Sequence, residues 1–196
     1  MFDQILRGNI DKSMRVLDAG CGYGRNLVHL LREGCDVFAI DADAAGVEHV
    51  RQLAASLGAR LPAEHFKVGT IEEMSFPREF ADVVICNSVL HFARDEKHFR
   101  AMLSGLWQAL RPGGMLFCRL GSRIGMDFER VRENIFVVGD GSEWFLVDEE
   151  MLLRKRPVFP SGIFIGLGLT IWSCIRQREL HIAFADFVRL QRSGRS

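Results

Sequence analysis

Three closely spaced glycines follow a short apolar segment near the start of the chain, where residues 16–26 read VLDAGCGYGRN. Glycines between a strand and a helix let the backbone turn sharply and let a ligand approach closer than a Cβ would allow. The spacing is GxGxG, with Arg25 where a dinucleotide site needs its third glycine, and no Gly-Lys-Ser/Thr of a P-loop follows. Asp18 also precedes the first glycine by two residues, so the loop favours a phosphate-free, partly cationic nucleoside ligand.

A second acidic residue, Asp41, ends the next apolar segment and lies nineteen residues beyond Gly22. In a right-handed βαβ unit this position is at the carboxyl ends of the strands, beside the glycine loop. A carboxylate there accepts hydrogen bonds from both hydroxyls of a ribose. A ribose diol without a phosphate site predicts an adenosine-like ligand rather than NADP.

A parallel sheet is needed to bring these residues together, and the sequence predicts one. Apolar segments alternate with helical patterns over the first 120 residues, which is typical of βαβ units. The predicted strands are Arg15–Asp18, Asp36–Asp41, His65–Val68, Asp82–Cys86 and Met115–Leu120, and the predicted helices are Arg25–Arg32, Ala44–Leu57 and Asp95–Leu110.

The alternation ends after the fifth strand. Ile135–Val138 and Glu143–Val147 flank a Gly-Asp-Gly-Ser sequence and predict a hairpin, and Asp148 is placed to cap a following helix. A second hairpin is predicted from Leu167–Ile175 and the alternating residues 180–185, with its turn near 176–179. We therefore expect one domain over residues 1–196, with 121–147 as an insertion on the substrate side.

Composition excludes several classes of function. The 196 residues carry 25 basic and 25 acidic side chains, so the formal net charge is zero and neither nucleic acid nor an anionic membrane is expected as a partner. The five cysteines form no CxxC pair and the histidines lack HExxH spacing, so no metal site is predicted. No apolar leader is visible, and the apolar run over 163–175 is too short to span a bilayer, so a cytoplasmic protein is expected.

Residues 16–26 (VLDAGCGYGRN) and 36–41 (DVFAID) resemble motifs I and II of the class I S-adenosylmethionine-dependent methyltransferases. The resemblance continues through residues 80–92 (FADVVICNSVLHF) and 110–114 (LRPGG), and it covers about residues 10–120. The GRN ending of the loop and residues 90–96 (LHFARDE) are similar to small bacterial methyltransferases of the tellurite-resistance-like type.

The resemblance implies an α/β, Rossmann-like, doubly wound sheet of order 3-2-1-4-5-7-6, in which strand 7 is antiparallel and the terminal hairpin supplies strands 6 and 7. It implies S-adenosylmethionine as cofactor and S-adenosylhomocysteine as product. The positions that match cofactor-binding residues are Asp18, Gly20, Cys21, Gly22, Gly24, Asp41, Ala42, Thr70, Ile71 and Asn87.

Individual roles follow from the same resemblance. Residues 20–22 and Asn87 would lie along the methionine part, Asp18 would hold the loop and the amino group, Asp41 would bind the ribose, and Ala42 would lie near adenine. Thr70 stands where the family often has an acid for the adenine amino group, so this chain departs from the family there.

Methyl transfer from a sulfonium is an in-line displacement, so the protein mainly aligns the two reactants, which is worth about 7–11 kcal/mol. If the acceptor must lose a proton, His91 is the candidate base, although packing explains this histidine as well. Arg25, Arg119 and Arg123 are candidates to orient an anionic substrate. The family's Asn/Asp-Pro-Pro-Tyr motif is absent from residues 87–90 (NSVL), which disfavours amino-group methylation of adenine or a glutamine amide and favours a small molecule.

Two other classes of function remain. A non-catalytic cofactor-binding domain, acting as a sensor or partner subunit, is suggested by the short segment of about fourteen residues before the first strand. A nicotinamide oxidoreductase is disfavoured by the missing third glycine. The sequence predicts no oligomeric state.

Overall fold

The computed structural model describes residues 10–124, 126–148, 151, 163–167 and 170–176 of the chain. The strands are β1 (Arg15–Ala19), β2 (Asp36–Asp41), β3 (Phe66–Val68), β4 (Ala81–Asn87), β5 (Leu110–Gly121), β6 (Arg130–Arg132), β7 (Ile135–Val137), β8 (Glu143–Phe145), β9 (Ile163–Leu167) and β10 (Thr170–Arg176). The helices are α1 (Val28–Arg32), α2 (Ala44–Ser56) and α3 (Glu96–Ala109), and short 3₁₀ turns occur at Ala63–His65 and Leu90–Phe92.

Seven strands form the central sheet in the order β3-β2-β1-β4-β5-β10-β9. Neighbours from β3 to β5 are parallel, whereas β10 is antiparallel to both β5 and β9. The predicted Rossmann-like order 3-2-1-4-5-7-6, with an antiparallel strand 7, is therefore confirmed.

Alternate residues of the central strands face two separate hydrophobic cores, which is why these strands read as continuous apolar runs. Val16 and Val37 pack with residues of α1 and α2 on one face. Leu17 and Ile40 pack with residues of α3 on the other face. Helices therefore cover both faces, and the sheet is doubly wound as predicted.

Local signals fix the starts of the two longer helices. The Asp43 carboxylate accepts a hydrogen bond from the N–H of Ala45 at the start of α2, and Asp95 accepts from the N–H of His98 at the start of α3. The first helix is shorter than predicted, because residues 24–27 form turns in which the Leu27 N–H donates to the Gly24 carbonyl at 2.9 Å. The helix therefore begins only at Val28.

A second, three-stranded antiparallel sheet of order β6-β7-β8 follows the central strands. Its β7–β8 hairpin is the predicted one, and the turn contains Gly141 at φ +83°. Strand β6 was not predicted, because its sequence Arg-Val-Arg is exposed and too short to show a pattern.

The predicted position of the last hairpin is wrong. Leu167 pairs directly with Thr170, so the chain reverses within the segment 167–175 that the sequence pattern treats as one strand. Only residues 168 and 169 (Gly-Leu) separate the paired residues, and a glycine there is the hairpin signal that the apolar run obscured. Residues 176–185 after β10, and the helix predicted after Asp148 apart from Met151, lie outside the described residues.

No helix within the described residues has both the length and the apolar character needed to cross a membrane.

Candidate active site

A cavity of about 560 Å³ opens at the carboxyl ends of β1, β2, β3 and β4. In open α/β sheets this edge is where ligands bind, and the volume is typical of a small-molecule site. Ten of the predicted site residues line it, namely Gly20, Cys21, Gly22, Arg25, Asp41, Ala42, Thr70, Ile71, Asn87 and Arg119.

The glycine loop contacts the end of β2 and Val89, two residues beyond β4. Gly20 has φ +80°, and a Cβ at this position would lie 2.3 Å from a methyl carbon of Val89. Its N–H donates to the carbonyl of Ile40 at 2.8 Å. A side chain at position 20 therefore has neither the backbone conformation nor the space that it needs.

Asp41 fastens the loop to the end of β2. One carboxylate oxygen accepts a hydrogen bond from the N–H of Gly22 at 2.7 Å, and the other accepts from the N–H of Asp43 at 2.9 Å. Each carboxylate oxygen can accept more than one hydrogen bond, so Asp41 retains acceptor capacity toward a ligand in the cavity that it lines.

Asp18 is fully buried beneath the loop and does not itself line the cavity. Its two carboxylate oxygens accept hydrogen bonds from Asn26 Nδ2 at 3.2 and 3.3 Å. Burial raises the pKa of Asp18 to about 7; the Asn26 hydrogen bond opposes this rise and the charge of Asp41 reinforces it. Asn26 lines the cavity, so it links the buried acid to the ligand space.

Glu72 and His98 also line the cavity and were missed by the sequence analysis. His98 Nδ1 accepts the N–H of Arg94 at 3.1 Å, so Nε2 carries the proton in neutral His98 and donates it to Glu72 at 3.0 Å. Burial raises the pKa of Glu72, but hydrogen bonds from the backbone and His98 outweigh it, and the pKa is lowered overall. The sequence did contain a signal for Glu72. Thr70 replaces the acid that the family often has at that position, and Glu72 is an acid only two residues further along the chain.

Two predicted functional residues lie away from the cavity lining, in contact with the second sheet. His91 is 5% exposed and stacks on Trp144 with ring centroids 4.0 Å apart. Burial, together with the charge of Arg119, lowers the pKa of His91 to about 4. Arg123 donates to the carboxylate of Asp148 at 2.7 Å. His91 and Arg123 therefore do not line the cavity with the ten residues named above, although the charge of Arg119, which does line it, acts on His91.

Gly24 is likewise separate from the lining. It has φ +79°, and a Cβ there would lie 3.0 Å from the side chains of Val50 and Leu53 on α2. This glycine lets the loop pack closely on α2. Within the described part of the chain, no group of three or more histidine, cysteine or acidic side chains is arranged to hold a metal ion.

Comparison with known proteins shows the family of this chain. The model of the family described as "Methyltransferase domain" matches residues 16–114, from β1 into the first residues of β5. The chain belongs to this family, and it is a class I S-adenosylmethionine-dependent methyltransferase. The finer resemblance to tellurite-resistance-like enzymes stays a prediction.

The relatives carry the names of different enzymes. The tRNA 5-carboxymethoxyuridine methyltransferase of Escherichia coli (strain K12) is 28% identical over 189 residues, which cover 96% of this chain and 70% of that protein. The carboxy-S-adenosyl-L-methionine synthase of Erwinia tasmaniensis is 31% identical over 120 residues, but the match covers only 59% of this chain and 47% of the synthase.

A solved structure shares the fold. It is the 1,6-didemethyltoxoflavin-N1-methyltransferase of Burkholderia thailandensis with bound 1,6-didemethyltoxoflavin and S-adenosylhomocysteine. The TM-score is 0.65 at 18% identity, with 91% of this chain and 76% of that chain covered.

Proposed function

We propose that this methyltransferase acts on a small, carboxylate-bearing molecule. The observation that carries the proposal is that two arginines, Arg25 and Arg119, line the same cavity as the glycine loop and Asp41. Arginine binds carboxylates through paired, charge-assisted hydrogen bonds. The zero net charge also favours a small acceptor over a nucleic acid, whose binding needs a basic surface.

The cavity residues fit S-adenosylmethionine, which supplies an activated methyl group when bound. Cys21 and the glycines on either side of it would hold the methionine part with Asn87. Asp41 would accept hydrogen bonds from the ribose hydroxyls, while Ala42 and Ile71 would contact adenine. Thr70 replaces the acid that the family often has for the adenine amino group, and Glu72 lies close to that position. The ionised carboxylate of Glu72 would therefore accept a hydrogen bond from the adenine amino group instead.

The chain's own residues would work mainly by alignment. Arg25 and Arg119 would orient the acceptor toward the methionine end of the cavity, which raises the rate by positioning alone. A carboxylate acceptor is already ionised at neutral pH, so its oxygen attacks the methyl carbon without transfer of a proton to the protein. Bound S-adenosylmethionine would supply the methyl group, and the products would be the methyl ester and S-adenosylhomocysteine.

Residues 1–196 would form a single domain, with 121–147 on the substrate side. The placement of 121–147 is supported by Trp144, which stacks on His91. His91 is followed by Phe92, which lines the cavity, so this part of the segment lies near the cavity. A cytoplasmic location is supported by Cys21, Cys35, Cys86 and Cys118, which are free thiols.

The test is S-adenosylhomocysteine release with a panel of small aliphatic and aromatic carboxylates, each paired with its primary amide. We expect turnover with acids and not with the amides. Arg25→Gln and Arg119→Gln should each raise the acceptor KM by roughly tenfold or more, whereas Arg51→Gln, an exposed arginine paired with Glu48 on α2, should not. Equal turnover of acid and amide would contradict the proposal.

A tRNA acceptor is the second candidate, because the E. coli tRNA methyltransferase aligns with 96% of this chain. Its acceptor, a carboxymethoxyuridine, also carries a carboxylate. Unfractionated tRNA in the same assay separates the two possibilities, since binding to phosphates weakens steeply with salt whereas binding of a small monoanion does not. Tight S-adenosylhomocysteine binding without turnover of either acceptor would favour a non-catalytic binding domain.

A further inference from the structure

An unbroken line of side-chain hydrogen bonds crosses the floor of the cavity. Arg119 Nη1 donates to Ser88 Oγ at 2.9 Å, and the Ser88 hydroxyl donates to Asn87 Oδ1 at 3.1 Å. Asn87 Nδ2 donates to Asn26 Oδ1 at 2.8 Å, and Asn26 Nδ2 donates to the Asp18 carboxylate. Every donor points the same way, from the guanidinium toward the buried acid.

Each amide in this line is held at both ends, which fixes its orientation. An ionised carboxylate only accepts hydrogen bonds, so Asn26 must turn its NH₂ toward Asp18 and its oxygen toward Asn87. Asn87 must then turn its own NH₂ toward Asn26 and its oxygen toward Ser88. The acid therefore determines how the amide of Asn87 faces the cavity.

Ser88 adopts an unusual backbone conformation to complete the line. Its φ of +64° lies in the left-handed region that few residues other than glycine adopt. Its N–H also donates to the carbonyl of Arg119 at 2.9 Å, so backbone and side chain both join the end of β4 to β5.

We propose that Asn26 and Ser88 are positioning residues that align the cofactor side of the cavity with its acceptor side. Asn26 orients Asn87 from the glycine-loop side, and Ser88 orients Asn87 and Arg119 together from the β5 side. The proposal rests on the proposed function, in which Asn87 contacts the methionine part and Arg119 the acceptor. Residues in one network are expected to act non-additively.

The test is calorimetric titration of S-adenosylhomocysteine into the full chain at about pH 8, for the wild type, Asn26→Ala, Ser88→Gly and the double variant. Each single change should weaken binding roughly three- to tenfold, the usual effect of losing one hydrogen bond. The double variant should weaken binding by less than the product of the two single effects, because either change alone already releases Asn87.

Glycine is chosen at position 88 because it removes the hydroxyl and suits the positive φ. The matched control is Glu79→Gly, which relieves a similar φ of +55° at an exposed position that does not line the cavity. Both variants should keep or raise the melting temperature, whereas only Ser88→Gly should weaken ligand binding.

The pH profile separates positioning from a general loss of structure. The Asn26 hydrogen bond lowers the pKa of Asp18, so Asn26→Ala should move the midpoint of the pH-dependent affinity upward. Ser88→Gly leaves that bond in place and should not move the midpoint. The other titratable groups that act with Asp18 are Asp41, which is unchanged in both variants, and the thiols of Cys21 and Cys86, whose raised pKa keeps them protonated.

Wild-type affinity in both single variants, or effects that multiply without coupling, would overturn the proposal while leaving the proposed function intact. A wild-type chain that does not bind S-adenosylhomocysteine would instead contradict the proposed site, so the two failures are distinguishable.

Discussion

The carboxylate of Asp41 and the N–H of Gly22 are joined by a 2.7 Å hydrogen bond between residues nineteen positions apart. The bond connects the end of β2 to the middle glycine of the loop after β1. It fixes the distance between the two parts of the cavity that would hold the ribose and the methionine. The same carboxylate would therefore shape the loop and contact the ligand.

Replacement of Asp41 should consequently weaken cofactor binding. Asp41→Ala removes a charged acceptor from both the loop and the ribose, and we expect a loss of at least about 1–3 kcal/mol in the binding free energy of S-adenosylhomocysteine. Asp41→Asn keeps the size of the side chain and one acceptor oxygen, so its loss should be smaller. Calorimetry that shows unchanged affinity in Asp41→Ala would remove this residue from the ribose role.

Asp18 should make the protein less stable as the pH rises. Its pKa is about 7 in the folded chain against 3.8 as a model value, so the folded state binds the proton more tightly. Between about pH 4 and pH 7 unfolding releases this proton, and the free energy of unfolding falls by up to about 4 kcal/mol. This contribution is fully present below pH 4 and is lost above pH 7.

The measurement is urea unfolding of the wild type and Asp18→Asn at several pH values. Asparagine has nearly the same shape, accepts from Asn26 and does not titrate in this range. The stability of the wild type relative to the variant should therefore decrease as the pH rises. Parallel stability curves for the two proteins would show that Asp18 does not change its protonation in this window.

His91 should have the opposite effect on stability. Its pKa is lowered from 6.5 to about 4 in the folded chain, so the unfolded state binds the proton more tightly. The free energy of unfolding should rise with pH between about pH 4 and pH 6.5, and the stabilisation is lost as the pH falls through that range. This slope opposes that of Asp18, so each group must be compared with its own non-titrating variant.

His91→Phe provides that comparison and also tests the catalytic role. Phenylalanine keeps an aromatic ring against Trp144 and has no proton to bind or release. We expect this variant to lose less stability than the wild type in acid, by about 1–3 kcal/mol, and to retain S-adenosylhomocysteine binding. Once an acceptor is known, kcat can be compared as well. A large loss of kcat in His91→Phe with unchanged stability at neutral pH would show that His91 acts as the catalytic base.

Hydrophobic periodicity and residue spacing predicted the strands that position the site, but not the side-chain contacts within the site. Strand β2 begins and ends at the predicted residues, because its apolar run stops at polar residues on both sides. The position of the last hairpin was wrong because β9 and β10 are both apolar, and a single glycine carries the turn signal. Asn26 and Ser88 were not assigned because Asn26 bonds to the distant Asn87 and Ser88 to the distant Arg119, and spacing along the chain does not reveal such long-range hydrogen bonds.

Gly105 provides the last prediction, because α3 and the loop after β3 touch through it. A Cβ at this position would lie 1.9 Å from the carbonyl oxygen of Ile71, a backbone atom that cannot move without shifting the cavity wall. Gly105→Ala should therefore cost about 1–3 kcal/mol of unfolding free energy by overpacking, even though alanine is the better helix former. It should also weaken S-adenosylhomocysteine binding, since Thr70, Ile71 and Glu72 line the cavity.

Gly139→Ala is the matched control, because a Cβ at that turn position meets no atom within 4 Å and the residue does not have a positive φ. It should leave both the melting temperature and the ligand affinity close to wild type. If Gly105→Ala binds S-adenosylhomocysteine as tightly as the control does, the loop after β3 does not contribute to cofactor binding, and the adenine contacts assigned to Ile71 and Glu72 are wrong.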